Sequence, residues 1–174
     1  MCILNNVTKT KLHSVLPEEE KRKYRCAFTG HRPEKANRPI AEIKEALRNA
    51  ICQSAEDGFT VFITGMARGV DLWAAEIVLD LRKEKKLNLI CAIPFEGFEV
   101  HWSEDWQRMY RYVLEQADFV YVVGKTYSRD IFCRRNMWMV NHANRVIAVY
   151  DGTSGGTRNT ITYAQRSNVE VIII

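Results

Sequence analysis

The chain has 174 residues, 47% apolar and 26% charged, with a net charge of +4, which is enough for one domain with a full core and an ordinary globular balance. Its longest apolar runs fall well short of the roughly 18 residues that cross a bilayer, and the N-terminus lacks a charged-then-apolar leader, so a cytoplasmic protein with no membrane partner is expected. The charge is uneven: residues 1–25 hold six cations against three glutamates, a balance of +3, and the near-neutral remainder offers little field for general tracking along nucleic-acid phosphates.

Residues 1–23 are polar, aperiodic and interrupted by Pro17 before three glutamates, which predicts a weakly structured arm. From residue 24 to 174, β-rich runs alternate with helical patterns. That order predicts one α/β domain, a three-layer Rossmann-like fold with a mainly parallel sheet of about six strands and helices on both faces. Strands are expected near 24–29, 59–64, 87–93, 119–123, 145–150 and 169–173. Between them, Ile40, Ile43, Leu47, Ala50 and Ile51 form one apolar stripe, and Val70, Trp73, Ala74, Ile77, Val78 and Leu81 a second, each spaced to face a sheet. A third joins Trp102, Trp106, Met109, Tyr110, Val113 and Ala117 behind Ser103, Glu104 and Asp105, residues suited to a helix start. A helix over 131–144 is expected to bring Arg134 or Arg135, with Asn136, near a ligand crevice while Trp138 and Met139 face the core.

The five cysteines are odd in number and show no C-x-x-C spacing, nor does H-E-x-x-H occur. No metal site and no disulfide framework are expected. Cys26 and Cys91 sit in strand-like runs and read as small apolar packing residues.

In an open parallel sheet the crevice lies beyond the C-terminal strand ends. There the first strand leads into Thr29, Gly30, His31, Arg32 and Pro33, and the second into Gly65, Met66, Ala67, Arg68, Gly69, Val70 and Asp71. The fifth is followed by Asp151 and then Gly155, Gly156, Thr157 and Arg158. Glycine admits close backbone approach, a helix start presents amides to an anion, and arginine adds a forked donor matched to phosphate. One such loop reads equally as a tight turn; three point to a phosphate or ribose cradle. Asp71 either caps the second helix or meets a ribose hydroxyl, and Arg135 or Asn136 either meets a base or ribose or lies on the surface.

Two formal matches fail. Gly124, Lys125 and Thr126 imitate the end of a P-loop, but Phe119 stands where its first glycine belongs. Gly152 to Gly156 satisfies G-x-S-x-G, yet neither Asp nor His follows Ser154, as a hydrolase elbow requires. No glycine loop reads G-x-G-x-x-G, which counts against an ordinary nicotinamide dehydrogenase.

Thr29-Gly30-His31-Arg32-Pro33, Gly65 to Asp71 with Glu76, Ile93-Pro94-Phe95, Arg135-Asn136 with Met139-Val140, and Tyr150-Asp151-Gly152 leading to Gly155-Gly156-Thr157 together resemble the YpsA-like branch of the SLOG superfamily, a domain of unknown function. The resemblance covers nearly everything from Tyr24 onward. It implies a Rossmann-like fold that binds nucleotides or their derivatives, with relatives among the DNA-processing Smf/DprA proteins and the LOG phosphoribohydrolases. The LOG motif P-G-G-x-G-T-x-x-E carries a glutamate for N-glycosidic cleavage, and Thr160 occupies that position here.

The leading expectation is binding or sensing of a nucleotide-derived small molecule, with NAD or an ADP-ribose-like compound as candidate ligands and no cofactor assigned. The binding residues expected are Gly30, His31, Arg32, Gly65, Met66, Ala67, Arg68, Gly69, Asp71, Arg135, Asn136, Asp151, Gly155, Gly156 and Thr157. The alternatives are N-glycosidic hydrolysis, with Asp71, Glu76, Glu96 or Asp151 as the acid or base, and single-stranded DNA binding through the basic arm and exposed aromatics. A homodimer is expected only from the frequency of symmetric dimers among soluble proteins.

Overall fold

A computed structural model describes residues 16–174, so most of the expected arm lies outside the described residues. Its last part forms a short helix α1 (Glu18–Arg22), and Arg22 donates to the carbonyl of Ala143 at 3.1 Å.

The strands are β1 (Arg25–Gly30), β2 (Val61–Thr64), β3 (Asn88–Ile93), β4 (Phe119–Val122), β5 (Arg145–Val149) and β6 (Glu170–Ile173), joined by α2 (Ile40–Glu56), α3 (Val70–Lys85), α4 (Glu104–Gln116), α5 (Ile131–Asn141) and α6 (Gly156–Arg166). The sheet order is β4-β3-β2-β1-β5-β6, and every neighbouring pair is parallel. All six strands lie within a residue or two of the runs expected from the sequence. Among the described residues no helix is long and apolar enough to cross a membrane.

The chain starts in the middle of the sheet, adds β2, β3 and β4 on one side, then returns to add β5 and β6 on the other. Right-handed crossovers then place the two helix sets on opposite faces. Phe28, Phe62, Leu89, Cys91 and Ile147 pack with residues of α2, α3 and α4, whereas Ala27, Ile63, Ala92 and Val146 pack with Met139 and Val140 of α5 and Ala164 of α6. Alternation along each central strand sends neighbouring residues to opposite layers. The parallel stack of Phe28 on Phe62, 5.7 Å between centroids, joins β1 to β2 within the first layer; burying a side chain of this size contributes about 2 kcal/mol.

Helix α3 is buried along most of its circumference, from Val70 to Leu81, because it is sandwiched between α2, α4 and the sheet. Two expected apolar positions behave otherwise. Ile40 is 46% exposed, since it is the first helical residue after Pro39 and projects beyond the strand ends. Trp138 packs against the second core cluster from its margin: it is half-buried, with its ring stacked on Tyr121 of β4 at 4.2 Å and on His142 at 4.1 Å. Strand β4 is an edge, with Phe119, Val120 and Val122 exposed, so among the described residues no further strand closes over that side of α5.

At the N-terminal end of β5, Arg145 is only 7% exposed. It donates to Asp57 at 2.5 Å, Glu170 at 2.8 Å and Ser54 at 3.2 Å, and its guanidinium lies 4.4 Å from the Phe59 ring. Burial pushes the nearby Cys26 thiol up to about 12 and that of Cys91 likewise. Both stay protonated at neutral pH and act as apolar packing groups.

Candidate functional site

Because β2, β1 and β5 are consecutive in the sheet, the loops leaving their C-terminal ends lie side by side, and the direction of strand addition reverses between β1 and β5. Contacts weld the three loops together. A Cβ on Gly30 would fall 2.5 Å from Val70 at the start of α3, and one on Gly69, where φ is +91°, would fall 2.7 Å from the His31 carbonyl. Neither position therefore accepts a side chain without separating the first two loops. The third loop joins through His31 Nε2, 3.0 Å from Asp151 Oδ1. The same oxygen accepts from the Thr153 hydroxyl at 2.7 Å and the Thr153 amide at 3.0 Å. Those two Thr153 bonds, aided by His31, hold the Asp151 carboxyl down to about 2.

The second loop is organised by side-chain oxygens. Thr64 Oγ1 donates to the Asp71 carbonyl at 2.8 Å and accepts from the Met66 amide at 3.2 Å, fixing Met66 at a left-handed φ of +61° with its side chain fully buried. Asp71 is also buried, and Oδ2 accepts from the Ala67 amide at 3.2 Å. Burial pushes its carboxyl up, against the pull of Arg135 and the Ala67 amide. A Cβ on Gly65 would sit 2.8 Å from Asp71 Oδ2 and 3.0 Å from Arg135 Nε; only glycine leaves the space on which the carboxylate and the guanidinium converge.

Arg135, on α5, is the deepest cation at this end of the sheet, at 7% exposure. Nη1 donates to the Gly65 carbonyl at 2.7 Å, while Nε and Nη2 share Asn136 Oδ1 at 3.1 and 2.9 Å. Asn136 passes the chain on, donating to Thr160 Oγ1 at 3.0 Å, which donates to the Gly156 carbonyl at 2.9 Å. Its hydrogen bonds thus go to amide oxygens, and its charge is opposed only through space by Asp71. Burial pushes the guanidinium's affinity for its proton down, Asp71 acts against this, and the like charge of Arg32 adds to it.

Helices α3 and α6 start at this rim after Gly69 and Gly155, neither with a side-chain cap; the first turn of α3 is buried, whereas α6 opens on exposed Gly155 and Gly156, where first-turn amides are available to an anion. Gly155 and Gly156 have open space where a side chain would stand, and Thr157 is buried just behind them.

The structure therefore brings together Gly30, His31, Arg32, the Gly65 to Gly69 loop, Asp71, Arg135, Asn136, Asp151 and the Gly155 to Thr157 helix start. Arg68 is at the rim but engaged, 2.8 Å from Glu34 and 5.9 Å from the Trp102 ring centre. Glu76 does not join: it faces Lys44 of α2 at 3.5 Å, on the helix flank beside Arg48 and Asp80. Glu96 is exposed in the loop after β3. Sequence reasoning missed an aromatic wall in which Phe95, Tyr127 and Phe132 meet at 6.2 to 6.4 Å, with the Arg135 guanidinium 5.7 Å from Phe132. It also missed a cavity of about 270 Å³ whose lining includes His31, Lys35, Arg38, Trp73 and Tyr150. The density of cations between His31 and Arg38 was the one signal available for it.

Comparisons with known proteins match this geometry to a family. The sequence model of the YspA SLOG family matches residues 26–171. A UPF0398 protein of Bacillus thuringiensis (strain Al Hakam) is 33% identical over 154 residues, covering 83% of this chain and 84% of its own length, and one from Bacillus cereus (strain AH187) aligns equally well. Among solved structures, DNA processing protein A of Streptococcus pneumoniae superposes with a TM-score of 0.63 at 19% identity over 87% of this chain, which spans 50% of that protein. Its Helicobacter pylori counterpart, described for a single-stranded DNA binding mode, gives 0.64 at 19% over 90% of this chain and 66% of its own. The Moco carrier protein of Chlamydomonas rheinhardtii gives 0.53 at 21%, covering 87% and 76%. At these identities the structural likeness speaks for the fold.

Proposed function

This chain belongs to the YspA SLOG family, and we propose that the rim formed by the β1, β2 and β5 loops binds a nucleotide or nucleotide-derived small molecule through its phosphate. The observation that carries this reading is Arg135, a buried guanidinium that among the described residues is hydrogen-bonded only to neutral oxygens, opposed through space by Asp71 alone and exposed to the like charge of Arg32. A buried charge without a directly paired counterion is costly, and two like charges add to the cost; a phosphate between them and the α6 helix start removes both penalties. The structural neighbours are consistent with it, since one binds single-stranded DNA and another is a Moco carrier protein. His31 and Asp151 border the same rim, bonded to each other, and in this reading they are the groups that face the sugar.

The test is thermal unfolding across a panel of nucleoside phosphates, NAD and ADP-ribose. A ligand at 100 times its Kd adds about 2.7 kcal/mol, which for a chain of this size raises the melting temperature by roughly 5 to 10 °C. Arg32→Ala combined with Arg135→Met should abolish the shift; a panel that shifts nothing ends the proposal. Chromatography of the same mixtures for free base reports on N-glycosidic cleavage, and steady release lost in Asp151→Ala would make the rim an enzyme's. A salt-sensitive mobility shift of labelled single strands would instead favour nucleic acid.

A further inference from the structure

The loop from His31 to Arg38 holds more positive charge than the rim accounts for. Its one acid, Glu34, is taken by Arg68 at 2.8 Å, and Arg32 acts on Arg135. Lys35 and Arg38 belong elsewhere: both line the cavity of about 270 Å³, and among the described residues neither has a carboxylate within ion-pair distance.

That cavity lies on the α2 and α3 side of the sheet, whereas Arg135, Asn136 and Thr160 lie on the α5 and α6 side. The His31–Asp151 pair belongs to both, lining the cavity while closing the rim. Buried Ile43, Val70, Trp73 and Val149 make its interior apolar, and Tyr150 adds a second aromatic ring, 6.1 Å from His31. Asn37, also in the lining, supplies the donor and acceptor that read the edge of a heteroaromatic ring. The negative charge of Asp151 is already committed to Thr153 and His31. Ligand pockets usually run from about 300 Å³ upward; this one suits a single nucleoside-sized body and leaves charged ends outside.

We infer that the cavity takes the flat ring of the rim ligand and that Lys35 and Arg38 receive a second anionic group, so that the ligand is a nucleotide phosphorylated at two separate positions. The inference rests on the rim reading above. One loop then serves both ends: Arg32 meets the first phosphate, and Lys35 with Arg38 meets the second.

Calorimetric titration of the full chain tests it with five probes: pyrophosphate, adenosine and guanosine 5′-monophosphates, and the 3′,5′-bisphosphates of the same nucleosides. One charge-assisted contact is worth about tenfold or more in affinity, so a bisphosphate should bind at least about tenfold more tightly than its monophosphate. Lys35→Gln with Arg38→Gln should erase that preference while leaving monophosphate affinity within about twofold. Ala36→Leu, which fills the cavity from its lining, should weaken all four nucleotides and spare pyrophosphate. Equal binding of mono- and bisphosphates by the native chain overturns the inference, as does a preference that survives the double substitution. Pyrophosphate binding with no binding of these four nucleotides overturns it and leaves only the rim's phosphate contact standing; no binding of any probe brings down the rim reading as well.

Discussion

Arg145 and Arg135 are equally buried, at 7% exposure each, and lie at opposite ends of the sheet. At the N-terminal end, Arg145 holds two carboxylates, a serine hydroxyl and the face of Phe59. At the C-terminal end, Arg135 holds a carbonyl and an amide oxygen and faces another arginine's field. The first is compensated by the fold itself and ties α2, β5 and β6 together. The second is left short of charge, which is how a binding site differs from a structural ion pair.

The sharpest way to break this comparison is to make both arginines apolar. Arg135→Met should reduce nucleotide affinity about a hundredfold, the effect of losing a charged hydrogen bond, while lowering the stability of the unliganded chain by about 1 kcal/mol, because the cost of burying the guanidinium goes with it and Asp71, whose carboxyl burial already pushes up, is left to take a proton. Arg145→Met should leave affinity unchanged and lower stability by about 2 kcal/mol, less than for a fully buried pair because Asp57 and Glu170 regain water. Calorimetry and urea unfolding on the two proteins decide it; equal loss of stability would make Arg135 structural.

Gly30→Ala probes the scaffold beneath the rim. Its methyl would fall 2.5 Å from Val70, and such overpacking costs about 2 kcal/mol, seen as a lower unfolding midpoint together with weakened ligand binding as α3 is pushed off β1. Asp71→Asn should sharpen the comparison in the other direction. Removing the one carboxylate acting on Arg135 should raise affinity for an anionic nucleotide by roughly three- to tenfold, and a decrease would show that Asp71 contacts the ligand.

The smallest effect concerns acid. Asp151 is held to about 2 against an ordinary value near ~3.9, so the stability it contributes is complete above pH ~4 and is lost as pH falls toward 2. Thr153→Val removes the shortest of its hydrogen bonds, and the variant should show a shallower loss of stability over that range when unfolding midpoints are compared.

How much of this was legible follows from how far apart the interacting residues lie in the chain. The strands were readable because central parallel strands are continuous apolar runs closed by glycine or an acid, as Arg145 to Asp151 shows. The rim loops were readable because glycine and arginine recur after β1 and β2, with glycine again after β5. Arg135 was harder: a charged residue on a helix reads as solvent-facing, and its burial depends on the carbonyl of Gly65, 70 positions earlier. Glu76 fell near the right motif in sequence, but at about 3.6 residues per turn the five positions from Asp71 carry it round to another face of α3, where it meets Lys44 of α2 instead of the rim. Trp138 does pack against the core, as its periodicity predicts, but periodicity does not report that the sheet ends at β4 and leaves the ring half-covered. The aromatic wall comes from the loops after β3 and β4 and the first turn of α5, and has no local pattern at all.

The sheet order has a last consequence for how this protein tolerates change. The three loops that meet at the rim all grow from interior strands, while β4 and β6 stand two places or one place outside them. An insertion, a graft or a shortened margin at either outer strand therefore leaves the geometry of the rim in register. Diversity between homologues should gather at the two flanks, with the middle three strands holding their lengths to the residue.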